Sequence, residues 1–120
     1  MQDFRELRVW EKAHLLTLAF YRATRNFPDD ERFGLTSQMR RAAASIGANI
    51  AEGCGRETRP DFVRFLQNAA GSASELEYHI FLARDLGYLS EEDCSRLTAD
   101  ICEVKRMLTG FIQRLKRTAA

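Results

Sequence analysis

The sequence predicts an all-α protein, an antiparallel up-down-up-down four-helix bundle that takes residues 1–120 as a single domain. Three observations carry that prediction. Apolar residues recur at alternating spacings of three and four through four separate segments, which puts them on one helical face each time. No segment alternates apolar and polar residues with the period of two that a half-buried strand requires. The connections are short, so consecutive helices must run antiparallel.

In the first segment Val9, Ala13, Leu16, Phe20, Ala23 and Phe27 form the stripe, and Pro28 stops it. "PDDERFG" has turn chemistry, after which the Thr36 hydroxyl is placed to cap a second helix. That helix has Met39, Ala43, Ile46 and Ile50 as its stripe, and Gly53 and Gly55 are expected to end it. Thr58 and Pro60 suit the opening of a third helix, because proline's missing N–H costs nothing in a first turn. Its stripe of Phe62, Leu66, Ala69, Ala73, Leu76, Ile80 and Ala83 leads to Gly87. At about 1.5 Å per residue such a helix is roughly 40 Å long, which makes the molecule a rod. Ser90 ahead of Glu91, Glu92 and Asp93 resembles a helix cap with acidic charge at the positive end of the dipole; Arg114, Lys116 and Arg117 lie at the negative end. Between them Cys94, Leu97, Ile101, Val104, Leu108, Phe111 and Leu115 keep the three-four alternation of left-handed bundle packing.

The second helix is unusually bare. Ala44, Gly47, Ala48 and Ala51 form a further face with almost no side-chain bulk, which lets another helix approach closely. Beside it runs a polar seam of Gln38, Ser45, Asn49 and Glu52. Polar groups in such a place must be paired if buried, and Arg41 or another arginine is the natural partner for the Glu52 carboxylate.

Composition narrows the functional classes. With 45% hydrophobic and 29% charged residues the chain is an ordinary globular protein, and a net charge of +1 supplies no bulk attraction to nucleic acid or anionic lipid. Any such binding must come from local clusters. No continuous apolar stretch suggests a signal peptide or a membrane span, so a cytoplasmic location is expected. Cys54, Cys94 and Cys102 lack zinc spacing and suit reduced structural thiols. A bundle that holds two metal ions needs Glu-x-x-His on two helices, and only Glu11-Lys12-Ala13-His14 has that spacing, with Glu11 opposite the apolar stripe. Gly53-Cys54-Gly55 follows a helix and lacks a third glycine, unlike a dinucleotide loop. No catalytic residue, metal or cofactor is assigned, and the chain is not expected to be an enzyme.

Two basic clusters remain. Arg5, Arg8, Lys12 and Arg22 share a face of the first helix, and Arg40, Arg41, Arg56 and Arg59 flank the ends of the second. Either could meet phosphates, although interleaved Glu6, Glu11, Glu57 and Asp61 also fit a solvated face. Tyr78, Phe81 and Tyr88 form a second apolar stripe on the third helix, a candidate contact with another protein copy, and Leu15 and Leu18 widen the first helix likewise.

The segments "FRELRVWEKA", "ERFGLTSQMRRAAASI", "NIAEG" and "FVRFLQNAAGSASELEYHIFLARDLGYL" together resemble the four-helix bundle family that includes proteins encoded in intervening sequences of bacterial 23S ribosomal RNA genes. The accessory proteins of diversity-generating retroelements are more distantly similar. The resemblance covers nearly the whole chain, with one departure: relatives usually have proline where Gly47 stands. It implies a homo-oligomeric ring, a pentamer, with basic residues lining a central opening. With the basic clusters and the lack of an apolar span, the expected partners are further copies of the chain, RNA or DNA, and a nucleic-acid enzyme, with no membrane. An adaptor ring that binds only protein is the alternative.

Overall fold

The computed structural model describes residues 2–118 and is built from four helices: α1, Arg8–Ala23; α2, Leu35–Cys54; α3, Arg59–Asp85; and α4, Glu91–Thr118. Two single 3₁₀ turns, Phe4–Glu6 and Asp29–Glu31, precede α1 and α2. Each helix packs on its neighbours in sequence, α1 closes the square against α4, and α1 and α3 sit diagonally. The result is the antiparallel bundle, a rod of 48 × 23 × 20 Å.

All four stripes face one core. Leu16, Phe20, Met39, Ile46, Ile50, Leu66, Leu76, Ile80, Leu97, Ile101 and Leu108 are buried in a single continuous cluster. The ends are set by specific hydrogen bonds. Thr58 Oγ1 accepts from Asp61 N at 3.2 Å to start α3, with Pro60 in the first turn, and Ser90 Oγ accepts from Asp93 N at 3.0 Å to start α4. The α3 helix stops in a Schellman arrangement, Tyr88 N donating to Ala83 O and Gly87 N to Arg84 O, and the left-handed φ of 81° at Gly87 is the conformation that requires glycine.

Three ends differ from the sequence expectation. Helix α1 closes at Ala23, before Pro28, because the buried Thr24 hydroxyl donates back to Phe20 O and receives the Arg40 guanidinium. Thr36 does not cap α2; it is buried within the helix, and the Glu31 carboxylate accepts from Leu35 N at 3.1 Å instead. Gly53 does not end α2 either. It lies buried in the last turn, where a Cβ would stand 2.9 Å from Phe62 Cδ1 and 3.0 Å from Phe65 Cβ. Glycine is there so that α2 and α3 can touch, and Gly55 is the cap.

Glu31 ties three segments together. Besides capping α2, it accepts the Tyr88 hydroxyl at 2.9 Å, and the Tyr88 ring lies 5.3 Å from Phe27. Glu31→Ala removes both bonds and is expected to cost about 1–3 kcal/mol, measurable as a lower urea midpoint. Donation to Glu31, followed by desolvation, holds the Tyr88 phenol above its ordinary pKa. An acid whose pKa is raised on folding stabilises the fold below its unfolded value, about 10 for tyrosine, and that contribution disappears as pH climbs through the folded value. Tyr88→Phe should therefore flatten the alkaline loss of stability expected above about pH 10.

Candidate nucleic-acid interface

Antiparallel packing places the start of α1, the α2–α3 turn and the end of α4 at one end of the rod. The register is fixed by the Lys12–Glu103 ion pair at 2.8 Å, by Phe62 packing edge-on to Phe111 at 5.5 Å, and by Gln2 N donating to Cys54 O. Arg8 and Arg106 thus share one groove with Arg114, and Arg59 shares another with Lys116. The exposed Arg117 lies on the last turn beside them. At the far end lie Asp29, Asp30 and Glu31 ahead of α2, Asp85 closing α3, and Glu91, Glu92 and Asp93 opening α4. A nearly neutral chain therefore has an excess of cations at one end, where Glu6, Glu11, Glu57 and Asp61 are interleaved, and an excess of carboxylates at the other, where Arg22, Arg25, Arg32, Arg84 and Arg96 are interleaved.

The basic residues expected from sequence divide sharply. Arg8 is exposed at the basic end, while Lys12 is held by Glu103. Glu103 in turn is kept below the usual carboxylate range, first by its hydrogen bond from Lys12 and then by the charges of Arg106 and Arg8. Arg5 pairs with Asp3 at 3.0 Å. Arg56 pairs with Glu52 at 2.7 Å and lies over the Phe65 ring. Arg40 is not available to phosphate: its Nε donates to Thr24 Oγ1 at 2.8 Å, its Nη2 donates to Tyr21 O at 3.2 Å, and it stacks on the Tyr21 ring. Its role is to close the end of α1. Arg41 is exposed in a groove between α2 and α3 that Glu75 shares, and Arg22 lies toward the acidic end beside Arg96 and Asp100. The α4 contribution of Arg106 was missed in sequence, because only the antiparallel register brings it beside Arg8.

Hydrogen bonds join the middle residues of the polar seam. Asn49 Nδ2 donates to Ser45 O and Ser45 Oγ, and Ser45 Oγ shares a hydrogen bond of 3.0 Å with Ser72 Oγ across the α2–α3 contact. Gln38 and Glu52, at its ends, are exposed. Arg41 does not reach Glu52, which is three turns away on the same helix; Arg56, one turn away, takes that place. Of the small face, Gly47 is buried under Trp10, whereas Ala44 and Ala48 are exposed.

Tyr78 and Phe81 are exposed on α3, at 61% and 43%. Tyr88 does not join them: it lies beyond α3, half-buried, with its hydroxyl committed to Glu31. Leu15, Leu18 and Tyr21 are exposed on α1, the helix diagonal to α3. Burial pushes the Cys54 thiol up in pKa, away from the thiolate a nucleophile needs. Among the described residues no three His, Cys, Asp or Glu side chains gather into a metal site; Glu11 and His14 are exposed, with His14 stacked on Trp10. His79 is buried, its Nε2 3.9 Å from Glu75 and its Nδ1 without a partner among the described residues. Among the described residues no helix is long and apolar enough to cross a membrane.

A family model described as 23S rRNA-intervening sequence protein matches residues 5–110. The chain belongs to that family. A solved structure from Bacteroides thetaiotaomicron, of a protein with unknown function from the S23 ribosomal protein family, shares 26% identity and superposes with a TM-score of 0.82. The likeness covers 88% of this chain and 95% of that one. No curated protein matches. Within the intervening-sequence family this chain has Gly47 under Trp10, and α2 passes through that position without a break.

Proposed function

We propose that this member of the intervening-sequence family is a non-enzymatic accessory or scaffold protein that assembles with copies of itself into a ring and binds RNA or DNA through its basic end. The observation that carries the reading is the sorting of charge: one end of the rod presents Arg8, Arg59, Arg106, Arg114, Lys116 and Arg117 while the carboxylates of the other end stand a rod's length away. Such a distribution gives a local excess of positive charge on a chain of net charge +1. The names of the family and of the solved relative connect those proteins with ribosomal RNA genes and ribosomal proteins, which agrees with a polyanionic partner.

The apolar surface supports assembly. Leu15, Leu18 and Tyr21 lie on one corner of the bundle, and Tyr78 and Phe81 lie on the diagonal one. Two different patches facing apart favour a head-to-tail contact, which closes into a ring when the rotation permits; five copies is the number the family resemblance implies. A ring sets several basic ends side by side and raises the effective concentration of each weak site. The same exposed Tyr78 and Phe81 favour, as second reading, an adaptor ring that engages only protein.

Light scattering and oligonucleotide titration test the two parts separately. The expected results are a mass several times the 13.8 kDa of one chain, and sequence-tolerant binding at about 1–100 μM that weakens steeply with salt. A lone protomer at micromolar concentration contradicts assembly, and assembly without binding at low salt leaves the adaptor.

A further inference from the structure

Between the start of α1 and the last turns of α4 lies an open groove of about 290 Å³, close to the lower end of the roughly 300–1,000 Å³ range of small-ligand sites. Leu7, Met107 and Phe111 make its floor, and Arg8, Arg106 and Arg114 stand on its rim. Phe111 is half-buried and fixed by its edge contact with Phe62, and Arg114 lies over it at 5.7 Å. Among the described residues neither Arg8 nor Arg106 is held by a hydrogen bond or an ion pair, and their charges both act on the single carboxylate of Glu103. Helix α1 begins at the groove with Leu7 as its N-cap, so no side-chain cap takes up its first N–H groups, and Glu11 is the acid of its first turn.

A ligand that satisfies this groove must join a flat apolar body to an anionic group a short distance away. We propose that the groove is a subsite for one unpaired nucleotide of a single-stranded nucleic acid, its base lying beside Met107 and over Phe111, where the flexible Arg114 side chain now lies, and its phosphate between Arg8 and Arg106. The inference rests on the nucleic-acid reading above and adds to it a preference for single strands. A duplex reaches the arginines with its phosphates but keeps its base faces in the stack, so Phe111 gains nothing from it. An acidic peptide would satisfy the charge and leave the aromatic floor unused, whereas Arg59, Lys116 and Arg117 continue the basic surface past the groove as a repeating polyanion requires.

Gly110 offers the test. It lines the groove, and the nearest atom to a Cβ built there is Arg114 Nη1 at 3.5 Å, the end of a flexible side chain. Gly110→Leu therefore fills the groove as the flexible Arg114 side chain gives way, removes no positive charge and favours the helix. The binding of a fluorescein-labelled oligouridylate and of a duplex of equal length is measured on the full chain at low salt, with circular dichroism to confirm the fold. Wild type is expected to prefer the single strand by about tenfold, the increment of one stacked base. Gly110→Leu should lose that preference while keeping its duplex affinity, and Arg8→Ala with Arg106→Ala should weaken both. A preference that survives in Gly110→Leu, or displacement of the oligouridylate from wild type by an oligoglutamate of equal length, overturns the subsite and leaves nucleic-acid binding intact. Failure of wild type to bind either probe removes both.

Discussion

Gly53→Leu is expected to destabilise the bundle by about 3 kcal/mol, the upper end of ordinary overpacking costs, while Gly47→Ala in the same helix is expected to stabilise it by about 0.5–1 kcal/mol. Both residues are buried on α2, and both relinquish an intrinsic preference for non-helical backbone when replaced. The difference is what lies opposite. At Gly53 even a methyl group stands 2.9 Å from Phe62 and 3.0 Å from the Cβ of Phe65, so α3 must move away, and the side chains that link α2 and α3 to the core move with it. At Gly47 the nearest atom is Trp10 Nε1 at 3.4 Å, an ordinary contact that leaves the helix-propensity gain uncancelled. A loss of about 3 kcal/mol is a large share of the 5–15 kcal/mol that keeps a domain folded. Urea denaturation of the three proteins at one concentration, which holds any oligomer contribution fixed, should give midpoints ordered Gly47→Ala, wild type, Gly53→Leu. Equal midpoints for the two glycine variants would show that the α2–α3 contact is looser than the structure has it.

The helices were legible because a buried stripe is a one-dimensional signal: Leu97, Ile101, Val104 and Leu108 announce their face whatever packs against it, and all are buried. Caps drawn from the residue just before a helix were legible too, as Thr58 and Ser90 show. What failed depended on a partner remote in sequence. Gly53 resembles a helix end until Phe62 and Phe65 are set against it. Arg40 resembles a phosphate ligand until antiparallel packing puts Thr24 and Tyr21 beneath it. Thr36 looks like a cap, but α2 opens one residue earlier, at Leu35, whose N–H donates to the carboxylate of Glu31 four residues ahead. Tyr88 continues a stripe in helical spacing, yet the Schellman stop at Gly87 turns the chain and delivers the ring to Phe27. The basic end was half legible, since Arg8 and Arg59 were singled out and Arg114, Lys116 and Arg117 were visible as dipole partners of α4. That these five belong to one surface, with Arg106 among them, follows only from the register of α1, α3 and α4.

The second large effect concerns the place of charge against its amount. Arg106→Glu with Lys116→Glu reverses two cations at the basic end, and Arg22→Glu with Arg25→Glu reverses two exposed cations near the other end of α1. The two variants have identical net charge, so any difference between them is a difference of position. Each phosphate contact contributes about 0.7 to the slope of log affinity against log salt on a single strand, and about 0.9 on a duplex. Removing two contacts should flatten that slope by about 1.4–1.8 and weaken binding at low salt by at least about tenfold. None of these four residues belongs to the buried core, and none is engaged in an ion pair among the described residues, so the fold should survive both changes.

The salt dependence of oligonucleotide affinity for these two double reversals, side by side with wild type, tests the central claim most directly, that phosphate is bound at one end of the rod. The account predicts a shallower slope and weaker binding for Arg106→Glu with Lys116→Glu, and a slope unchanged from wild type for Arg22→Glu with Arg25→Glu. Equal losses in the two variants, or a greater loss at the acidic end, would contradict it.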